Sequence, residues 1–478
     1  MPHGNPEVTA MDAERLRTCL ARPGSSVHML GIGGVGMAGL ALLLKQRGHA
    51  VSGCDAAAGP LTDWLRGQGI EVAIGHDPAH WRTTPDWIVR SPAVSREELE
   101  LREAAARGIP VWDRGRVLPC VLAPYRTAAV AGTHGKTTTA SLLAWMLRVA
   151  GRPLSYCIGG VCPGLGAVAH AEPSGDMVIE ADESDGTLRE YRVAVAVVTS
   201  MDLDHVDYFQ DDARQREVFR RFMDQAGMVV YGADDPLTRE LARRAACGRS
   251  FGVENPAAVR ASKVVLEASS SSFELELDGR GMGKVSLSVP GRHNVLNALA
   301  AVAVASAWDV PVAKIAEALA SFRLPLRRFE QVAAGSGITV ISDYAHHPAE
   351  IDALLAQARL RGPRRVLAVF QPHRFSRTRA FKPAFVRSLS SLDYLVLAPV
   401  YAASEPFVEG GTSRDLYEAF PAGSRDAVEL TGSLEEAWSR LREHARAGDL
   451  VLVIGAGDVE KIGDWAREAW TGNLEPLP

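Results

Sequence analysis

The sequence predicts an α/β fold that is divided among several domains. Its 478 residues are too many for one hydrophobic core, and this length alone suggests two to four domains. Two glycine-rich stretches, Gly31–Gly36 and Gly132–Gly135, each follow a short apolar strand-like run and precede a helix-like segment. Further strand-like and helix-like segments alternate as far as Ile454, a pattern typical of parallel sheets whose strands are connected by helices.

The composition is that of an ordinary globular protein and argues against several classes of function. Apolar residues make up 47% and charged residues 23% of the chain, and the formal net charge of -5 offers no basic surface for nucleic acid or an anionic membrane. The six cysteines are scattered without a C-x-x-C pair, which indicates reduced thiols rather than disulfides or a zinc site. The N-terminus has no apolar signal core, and no apolar run could span a bilayer. We therefore expect a cytoplasmic protein without nucleic-acid or membrane partners.

The first glycine-rich stretch predicts a turn that approaches a diphosphate. It follows the apolar strand Val27–Leu30 and precedes a helix, and the next strand ends in an acidic residue, as in the dinucleotide motif G-x-G-x-x-G. NAD, FAD or a nucleotide-sugar would each suit this motif, and a tight turn without a ligand is the alternative. The region Pro119–Tyr125 further along is predicted to be a linker. The candidate residues of the turn are Gly31, Gly33, Gly34, Gly36 and Asp55.

The second glycine-rich stretch predicts a phosphate-binding loop at the start of a helix. Backbone N–H groups in such a turn, together with the helix N-terminus, bind anions. Lys136 can reach the β- and γ-phosphates, and the Thr137 hydroxyl can ligate a phosphate-bound Mg²⁺. The motif G-x-x-x-x-G-K-[ST] is incomplete, because Val130 occupies its first glycine position. A plain turn with a solvated lysine is the less favoured alternative.

Acidic residues follow two strand-like runs after that loop. Glu180 ends the run Asp176–Glu180, and the segment Asp202–Asp207, which contains His205, follows the next run. Because ligands bind outside the carboxyl ends of strands in open α/β sheets, we expect Glu180 and this segment to converge on the Lys136 turn. A carboxylate there can hold the metal ion that bridges nucleotide phosphates. A solvated acidic rim is the alternative for any single member, and His205 alone is weak support, because imidazole is not a usual Mg²⁺ ligand.

Two amide side chains follow a predicted hairpin. The run Ser262–Ser288 alternates apolar and polar residues around a turn at 278–281, which predicts an antiparallel pair of strands. Asn294 and Asn297 come next, at the start of an alanine-rich helix. Two amides three positions apart share one helix face and could hydrogen-bond a purine or ribose. The alternative is that Asn294 only caps the helix.

The last third of the chain is predicted to be another α/β unit. Its strand Ile338–Asp343 leads into Tyr344–Pro348, where the proline marks the start of a helix. The strand Arg365–Phe370 is followed by Gln371–Arg379, which is rich in arginine and histidine. Such a cluster at a strand end suits an oxyanion, and an exposed basic loop is the alternative.

The two nucleotide-type motifs together discriminate between classes of function. A dehydrogenase accounts for Gly31–Gly36 but leaves Lys136 and Glu180 without a role. A nucleotide-driven switch or motor accounts for Lys136 but not for the first motif. An ATP-dependent enzyme that acts on a nucleotide-linked substrate uses both.

Six ordered motifs resemble the Mur ligase family, in particular its alanine-adding branch. They are Gly132–Thr138, Glu180–Asp185, Asp204–Asp207, Gly291–Asn297, Asp343–Pro348 and Gln371–Thr378. The resemblance extends from about Val27 to Gly457. It implies a Rossmann-like UDP-substrate domain (1–122), a central P-loop-type ATPase domain with a mostly parallel sheet (123–323), and a Rossmann-like C-terminal domain (324–478) that helps to bind the amino acid and closes over the site.

The resemblance implies that ATP phosphorylates the carboxylate of UDP-N-acetylmuramate and that L-alanine attacks the acyl phosphate, a step in making peptidoglycan precursors. The implied catalytic residues are Lys136, Glu180, His205, His346 and Arg377, and the implied Mg²⁺ ligands are Thr137, Glu180 and His205. The implied ATP-binding residues are Gly132, Thr133, His134, Gly135, Lys136, Thr137, Thr138, Asn294, Asn297, Arg328 and Asp343. The implied substrate-binding residues are Gly31, Gly33, Gly34, Gly36, Asp55, His76, Tyr344, His346 and Arg377.

Two departures from the family pattern bear on this interpretation. Ala345 stands where alanine-adding members often have glycine, a form shared with a sibling ligase that attaches a recycled tripeptide to the same sugar. That ligase is the alternative function, and an NAD-dependent oxidoreductase is a distant one. Many members also hold a second metal with a carbamylated lysine, but here no lysine lies between Lys136 and Lys263. The resemblance implies that the alanine-adding branch works without it, as a monomer or weak homodimer.

Overall fold

The computed structural model of the chain describes residues 14–183, 187–202, 212–403 and 405–470. These residues form three sheets flanked by helices, and they separate into two compact units. The first unit comprises the described residues of Met1–Met201, Gln215–Val259 and Ala298–Ala318. The second comprises the described residues of Asp202–Arg214, Arg260–Asn297 and Leu319–Pro478.

The first sheet lies in the first unit and contains the turn at Gly31–Gly36. Its strands are β1 (Ser26–Leu30), β2 (Ala50–Asp55), β3 (Glu71–Ile74), β4 (Trp87–Arg90) and β5 (Val111–Asp113). They pair in parallel in the order β3-β2-β1-β4-β5. The helices between them are α1 (Val35–Gln46), α2 (Pro60–Gly67), α3 (Leu99–Ala106) and α4 (Arg114–Val121). Since Leu30 pairs with Cys54, the carboxyl ends of β1 and β2 lie side by side.

The second group of strands in the first unit contains the turn at Gly132–Gly135. These strands are β6 (Tyr125–Ala131), β7 (Leu154–Cys157), β8 (Ala169–His170), β9 (Gly175–Glu180), β10 (Val195–Val198), β11 (Met228–Gly232) and β12 (Gly248–Gly252). Their order is β12-β11-β10-β6-β9-β7-β8, and among them only β7 and β8 pair antiparallel. The accompanying helices are α5 (Lys136–Val149), α6 (Asp212–Asp224) and α7 (Pro236–Ala242). Strand β6 thus lies between β9 and β10, whose carboxyl ends flank the turn.

The predicted linker at Pro119–Tyr125 is wrong over its first part. Pro119 lies inside α4, and β6 begins at Tyr125. Proline has no N–H to donate within a helix and is unfavourable there. The helix nevertheless buries Gly115, Val117, Leu118 and Val121, so tertiary packing outweighs the local preference.

The second unit holds the predicted hairpin and the third sheet. Its strands are β13 (Val259–Leu266), β14 (Ser271–Leu277), β15 (Arg280–Leu287), β16 (Glu330–Gly335), β17 (Ile338–Asp343), β18 (Arg365–Phe370), β19 (Tyr394–Leu397), β20 (Val428–Leu430) and β21 (Asp449–Ile454). The hairpin is confirmed: β14 and β15 pair antiparallel across Asp278 and Gly279, and both have the positive φ that a tight hairpin turn requires. The third sheet has the order β16-β17-β21-β18-β19-β20, with only β16 and β17 antiparallel among its described strands.

Helices cover both faces of the third sheet, and apolar clusters fill the space on each side. The helices of the second unit that accompany this sheet are α10 (Pro348–Arg359), α11 (Phe375–Leu389), α12 (Ser413–Glu418), α13 (Leu434–His444) and α14 (Lys461–Trp470), and they follow α8 (Arg292–Ala307) and α9 (Val312–Ser321), which lie mostly within the first unit. Across the described ranges, none of the helices has both the length and the apolar character needed to cross a membrane. The architecture confirms the predicted α/β fold class.

Candidate active site

The second glycine-rich turn joins β6 to α5 with only two glycines. Val130 is fully buried within β6, so the strand continues through the position where a longer phosphate-binding loop has its first glycine. The turn begins at Gly132, whose φ is +127° and where a Cβ would collide with the Thr199 hydroxyl. Gly135 precedes α5 in the left-handed conformation, with φ +80°. The incomplete motif is therefore a shorter turn that needs no glycine at 130.

The ammonium group of Lys136 is held inside this turn. Its Nζ donates to the carbonyl oxygens of Gly132 at 2.7 Å and Thr133 at 3.3 Å, and it lies 2.8 Å from Glu183 Oε1. The Glu183 side chain is fully buried, and that of Lys136 is 16% exposed. Burial opposes the charge, but Glu183 and its neighbouring carboxylates hold the pKa of Lys136 above the usual value. The amine is therefore a fixed cation of the kind that suits a phosphate.

Thr137 and Glu180 form the part of the site that can hold a divalent cation. The Thr137 hydroxyl donates to Glu180 Oε1 at 3.1 Å, and the Gly159 N–H donates to Glu180 Oε2 at 2.7 Å. A Cβ at residue 159 would lie 2.5 Å from Glu180 Oε2, so glycine is required for this contact. A hydroxyl and a carboxylate oxygen are hard donors of the kind that Mg²⁺ prefers, and this donor set fits a magnesium ion.

Ser200, which follows β10, contacts the same turn, whereas most of the loop predicted to do so lies outside the described residues. The Thr133 N–H donates to the Ser200 carbonyl at 2.9 Å, and the His134 N–H donates to the Ser200 hydroxyl at 3.2 Å. Ser200 thus occupies two N–H groups that the sequence alone would assign to phosphate. The first-turn N–H groups of α5, which include that of the buried Thr138, have no acceptor within the helix and are better placed for an anion. His205 lies outside the described residues, and its role as a metal ligand stays a prediction.

The two asparagines lie inside the helix α8. Because α8 starts at Arg292, Asn294 is a helical residue, and the alternative that it caps the helix is wrong. Its Nδ2 donates to the Pro290 carbonyl at 2.7 Å, and Asn297 Nδ2 donates to Asn294 Oδ1 at 3.4 Å. Both side chains are buried on one face of the helix. The shared face confirms the predicted spacing, and nucleotide recognition by these amides stays a prediction.

Three predicted nucleotide and amino-acid contacts lie together at the end of β17. The Asp343 carboxylate accepts hydrogen bonds from the N–H groups of Phe329 at 2.7 Å and Ala345 at 2.8 Å. Burial raises the pKa of Asp343, although these donors and Arg328 oppose the shift. The Arg328 guanidinium lies 5.2 Å from the centre of the Tyr344 ring. The carboxylate thus fixes the backbone directly after Arg328 and directly after Tyr344.

The two histidine-containing motifs of the third sheet meet at their strand ends. His346 Nδ1 lies 2.9 Å from the Tyr344 carbonyl oxygen and 3.4 Å from Glu350 Oε2. Its ring centre is 5.8 Å from that of His373, whose Nδ1 lies 3.2 Å from Arg377 Nη1. Arg377 is only 4% exposed, so the alternative of an exposed basic loop is wrong at this position. A buried guanidinium beside two imidazoles is suited to binding a small carboxylate.

In the first glycine-rich turn, a carboxylate of the protein accepts a hydrogen bond from a backbone N–H group. Gly33 N–H donates to Asp55 Oδ2 at 2.8 Å, and Gly31 N–H donates to the Cys54 carbonyl at 2.9 Å. Gly31 has φ +74°, and Gly34 is the residue before α1. Asp55 therefore fixes the turn as well as ending β2, a role that the sequence pattern does not reveal.

A cation from another helix lies against this first turn. A Cβ at Gly36 would collide with the guanidinium of Arg114, which begins α4. His76 lies in the same part of the fold, with its Nδ1 3.0 Å from Cys54 Sγ. The cation beside the first turn is thus an arginine from another helix, whereas the cation of the second turn is the lysine that directly follows its glycines. Arginine and histidine both suit a diphosphate.

Comparison with known proteins matches three family models to the chain. The Mur ligase family, catalytic domain, matches residues 26–126, the Mur ligase middle domain matches 130–305, and the Mur ligase, glutamate ligase domain, matches 327–457. A UDP-N-acetylmuramate–L-alanine ligase from Kineococcus radiotolerans is 42% identical over 450 residues, which cover 91% of this chain and 94% of the relative. The chain belongs to the Mur ligase family. A second such ligase, from Acidothermus cellulolyticus, is 40% identical over 93% of this chain and 96% of its own.

Solved structures agree with this assignment. The UDP-N-acetylmuramate-alanine ligase from Thermotoga maritima matches this Mur ligase with a TM-score of 0.80 and 27% identity, over 93% of this chain and 98% of that one. A murein peptide ligase from Psychrobacter arcticus matches with a TM-score of 0.71 and 25% identity, over 95% and 100%. The three-domain Mur ligase fold is therefore established, and the family excludes the dehydrogenase alternative.

The sequence analysis did not single out four residues that lie near the proposed sites of this Mur ligase. Glu183 lies three positions after Glu180 in an acidic cluster, and this proximity is a signal that could have found it. His373 lies within the Gln371–Thr378 motif. Gly159 and Arg114 carry no local signal, because each reaches its partner only through the tertiary fold.

Proposed function

We propose that this Mur ligase joins L-alanine to the carboxylate of UDP-N-acetylmuramate while converting ATP to ADP and phosphate. The proposal rests on the second glycine-rich turn. There, the buried Lys136–Glu183 pair lies beside the Thr137 hydroxyl and the Glu180 carboxylate, which could both bind a metal ion. The names of the relatives support the choice of substrates. We also propose domain boundaries at 1–122, 123–323 and 324–478. Because ATP and nucleotide-linked sugars are cytoplasmic metabolites, we propose the cytoplasm as the compartment.

Activation of the carboxylate is the first chemical step. A carboxylate is a poor acyl donor, because its oxygen is a poor leaving group. Its oxygen attacks the γ-phosphorus of ATP, the bond to the β-phosphate oxygen breaks, and ADP leaves behind an acyl phosphate. Lys136 offsets the negative charge on the transferred phosphoryl group. Thr137 and Glu180, with His205 as a third ligand, would hold Mg²⁺, which when bound neutralises phosphate charge.

Amide formation is the second step. The amine of L-alanine attacks the acyl carbon, a tetrahedral intermediate forms, and the carbon–oxygen bond to phosphate breaks. Arg377 pairs with the carboxylate of L-alanine and thereby orients its amine. His346 Nδ1 bonds to the Tyr344 carbonyl as a donor, which makes Nε2 the basic atom of the neutral ring. His346 is therefore the candidate to accept the proton that the amine loses.

The remaining predicted residues would bind the two nucleotides. Asn294, Asn297, Arg328 and Asp343 are proposed to bind the nucleoside of ATP. For the UDP moiety, the proposed residues are Gly31, Gly33, Gly34, Gly36, Asp55 and His76, joined by Arg114, which lies against Gly36. Arginine beside a glycine turn supplies the positive charge that a diphosphate requires.

The proposal is tested by phosphate release from the purified chain with ATP, Mg²⁺ and UDP-N-acetylmuramate. A panel of single amino acids and the recycled tripeptide serves as the set of acceptors. We expect release with L-alanine and none when any one component is omitted. Turnover with the tripeptide but not with L-alanine would overturn the proposal in favour of the recycling ligase.

A further inference from the structure

Four potential metal ligands lie together in the first unit, and the ligase reaction does not use them as a set. His28 on β1, Cys54 on β2 and Glu100 on α3 are buried, with exposures of 2%, 0% and 0%. Each offers one ligand atom, and these atoms lie within 4.8 Å of one another. His76, after β3, adds a second imidazole beside Cys54.

The contacts among these side chains are short, with His28 at one oxygen of Glu100 and with Cys54 and His76 at the other. His28 Nε2 lies 3.0 Å from Glu100 Oε2, and Cys54 Sγ lies 3.0 Å from Glu100 Oε1. His76 Nδ1 is 3.0 Å from Cys54 Sγ and 3.9 Å from Glu100 Oε1. Zinc bonds of about 2.0 to 2.3 Å give ligand-to-ligand edges of about 3.3 to 3.8 Å in a tetrahedron. Contacts of 3.0 Å are a little shorter than such edges, so these side chains would separate slightly to admit an ion.

Neighbouring side chains already orient two of the ligands. Ser52 Oγ lies 3.0 Å from His28 Nδ1, which leaves Nε2 as the atom directed at Glu100. The Trp81 indole N–H donates to Glu100 Oε2 at 2.8 Å. Hydrogen bonds of this kind orient metal-bound imidazoles and carboxylates in known sites. Three of the four ligands also lie on regular strands and a helix, which limits their movement.

The charges of the cluster suit a divalent ion. A thiolate and a carboxylate together balance the two positive charges of the ion, so the buried site is neutral when filled. Burial and the Glu100 carboxylate raise the pKa of the Cys54 thiol, so the thiol keeps its proton until a metal displaces it. The His76 side chain is 12% exposed and is the most accessible of the four ligands.

We propose that His28, Cys54, His76 and Glu100 form a structural site for Zn²⁺. On binding, the bond from zinc to Cys54 Sγ forms and the thiol proton is released to solvent. The ion would link β1, β2 and α3, and it would hold His76 beside the first glycine-rich turn. The spacing of cysteines gave no sign of this site, because one cysteine combined with histidine and glutamate carries no C-x-x-C signature.

Cobalt(II) titration of the full chain tests the proposal, because a thiolate ligand produces a charge-transfer band in the near ultraviolet. We expect one equivalent of Co²⁺ to produce this band and tetrahedral visible absorption, and Zn²⁺ to abolish both. The Cys54→Ser variant should lose the band. Cys157→Ser, which alters another buried cysteine in the same unit, should keep it. Glu100→Gln should weaken binding by at least about tenfold.

The same measurements separate this site from the ATP site. Cobalt at the proposed magnesium site would have Thr137, Glu180 and His205 as ligands. None of these is a thiolate, so ligase activity and the charge-transfer band are independent readouts. Zn²⁺ should also raise the Tm of the wild-type chain and of Cys157→Ser, but not of Cys54→Ser. A wild-type chain that shows no thiolate band with stoichiometric Co²⁺ would overturn the proposal, as would an unchanged band in Cys54→Ser.

Discussion

The two glycine-rich turns have the same strand–turn–helix plan but carry opposite charges at their centres. In the first turn, the Asp55 carboxylate accepts from the Gly33 N–H, and the nearby cation, Arg114, comes from another helix. In the second, Lys136 belongs to the turn itself, and its anionic partner is the buried Glu183. The first turn therefore presents an anion at its backbone, whereas the second presents a cation.

This difference indicates how the proposed functions are divided between the two turns. The first turn, with the Arg114 guanidinium against it, is proposed to hold a diphosphate whose charge does not change during the reaction. The second places a fixed cation where charge develops on a transferred phosphoryl group. Changes at the second turn should therefore lower kcat, and changes at the first should raise KM for the UDP substrate.

Replacement of Lys136 should have the largest effect. We expect Lys136→Met to lower kcat by about a thousandfold or more, because the charge on the phosphoryl group is no longer offset. Calorimetry should show UDP-N-acetylmuramate binding nearly unchanged. Lys314→Met, which alters an exposed lysine paired with Glu317, is the control and should keep full activity. Loss of UDP-substrate binding in Lys136→Met would show that the two turns do not have separate roles.

Displacement of the Glu180 carboxylate should have the next largest effect. We expect Glu180→Gln to lower kcat about a hundredfold, with a higher Mg²⁺ requirement, because an amide is a weaker ligand for a hard cation. Gly159→Ala should act in the same direction, since its Cβ would lie 2.5 Å from Glu180 Oε2. Initial rates across a Mg²⁺ titration provide the measurement. An unchanged Mg²⁺ requirement in both variants would remove Glu180 from the metal site.

The Glu183 carboxylate can be removed while Lys136 is kept. We expect Glu183→Gln to lower kcat/KM for ATP about tenfold near neutral pH and to move the alkaline limb of its pH profile to lower pH. The sign follows from the pKa of Lys136 in the free enzyme: burial lowers it, Glu183 raises it, and without Glu183 the amine loses its proton earlier as pH rises. Profiles of kcat/KM for ATP against pH for both chains would reveal this. An identical alkaline limb would mean that Glu183 does not hold the charge of Lys136.

A small change at the first turn should affect only the UDP substrate. We expect Gly36→Ala to displace Arg114 and to raise KM for UDP-N-acetylmuramate about tenfold, with kcat and KM for ATP within about twofold of the wild type. Gly423→Ala is the matched control, because a Cβ there would have open space. Steady-state kinetics with each substrate varied in turn would show which KM changes. A fall in kcat without a change in KM would contradict the division of roles.

Bicarbonate should have no effect. Between Lys136 and Lys263 the chain has no lysine that could become a carbamate, and α6 carries arginines, which stay protonated. Rates would be compared in CO₂-depleted buffer and after bicarbonate is restored at constant pH and ionic strength. A reversible, several-fold recovery would show that a lysine elsewhere serves the second turn.

Sequence reasoning succeeded where local pattern and tertiary structure agree. The strand Ile338–Asp343 and the hairpin across Asp278–Gly279 were predictable, because apolar runs and turn residues are local signals. The helix around Pro119 was not, since burial of its apolar face outweighs the local preference. Arg114 was also missed, because it reaches Gly36 from a helix 78 positions downstream.

The sequence identified the residues of the second turn but not the contacts among them. The motif identifies Lys136 and Thr137. The rule that ligands bind at the carboxyl ends of parallel strands places Glu180 beside them. The occupation of the Thr133 and His134 N–H groups by Ser200 depends on the register of β6 and β10, which no local pattern specifies.

The fixed charge on Lys136 has a consequence for covalent inhibitors. Electrophiles that target lysine react with the unprotonated amine, and a raised pKa makes that form scarce here. A warhead carried into the proposed ATP site would therefore remain largely unreacted at Lys136. A lasting covalent bond at this site calls for a different target atom.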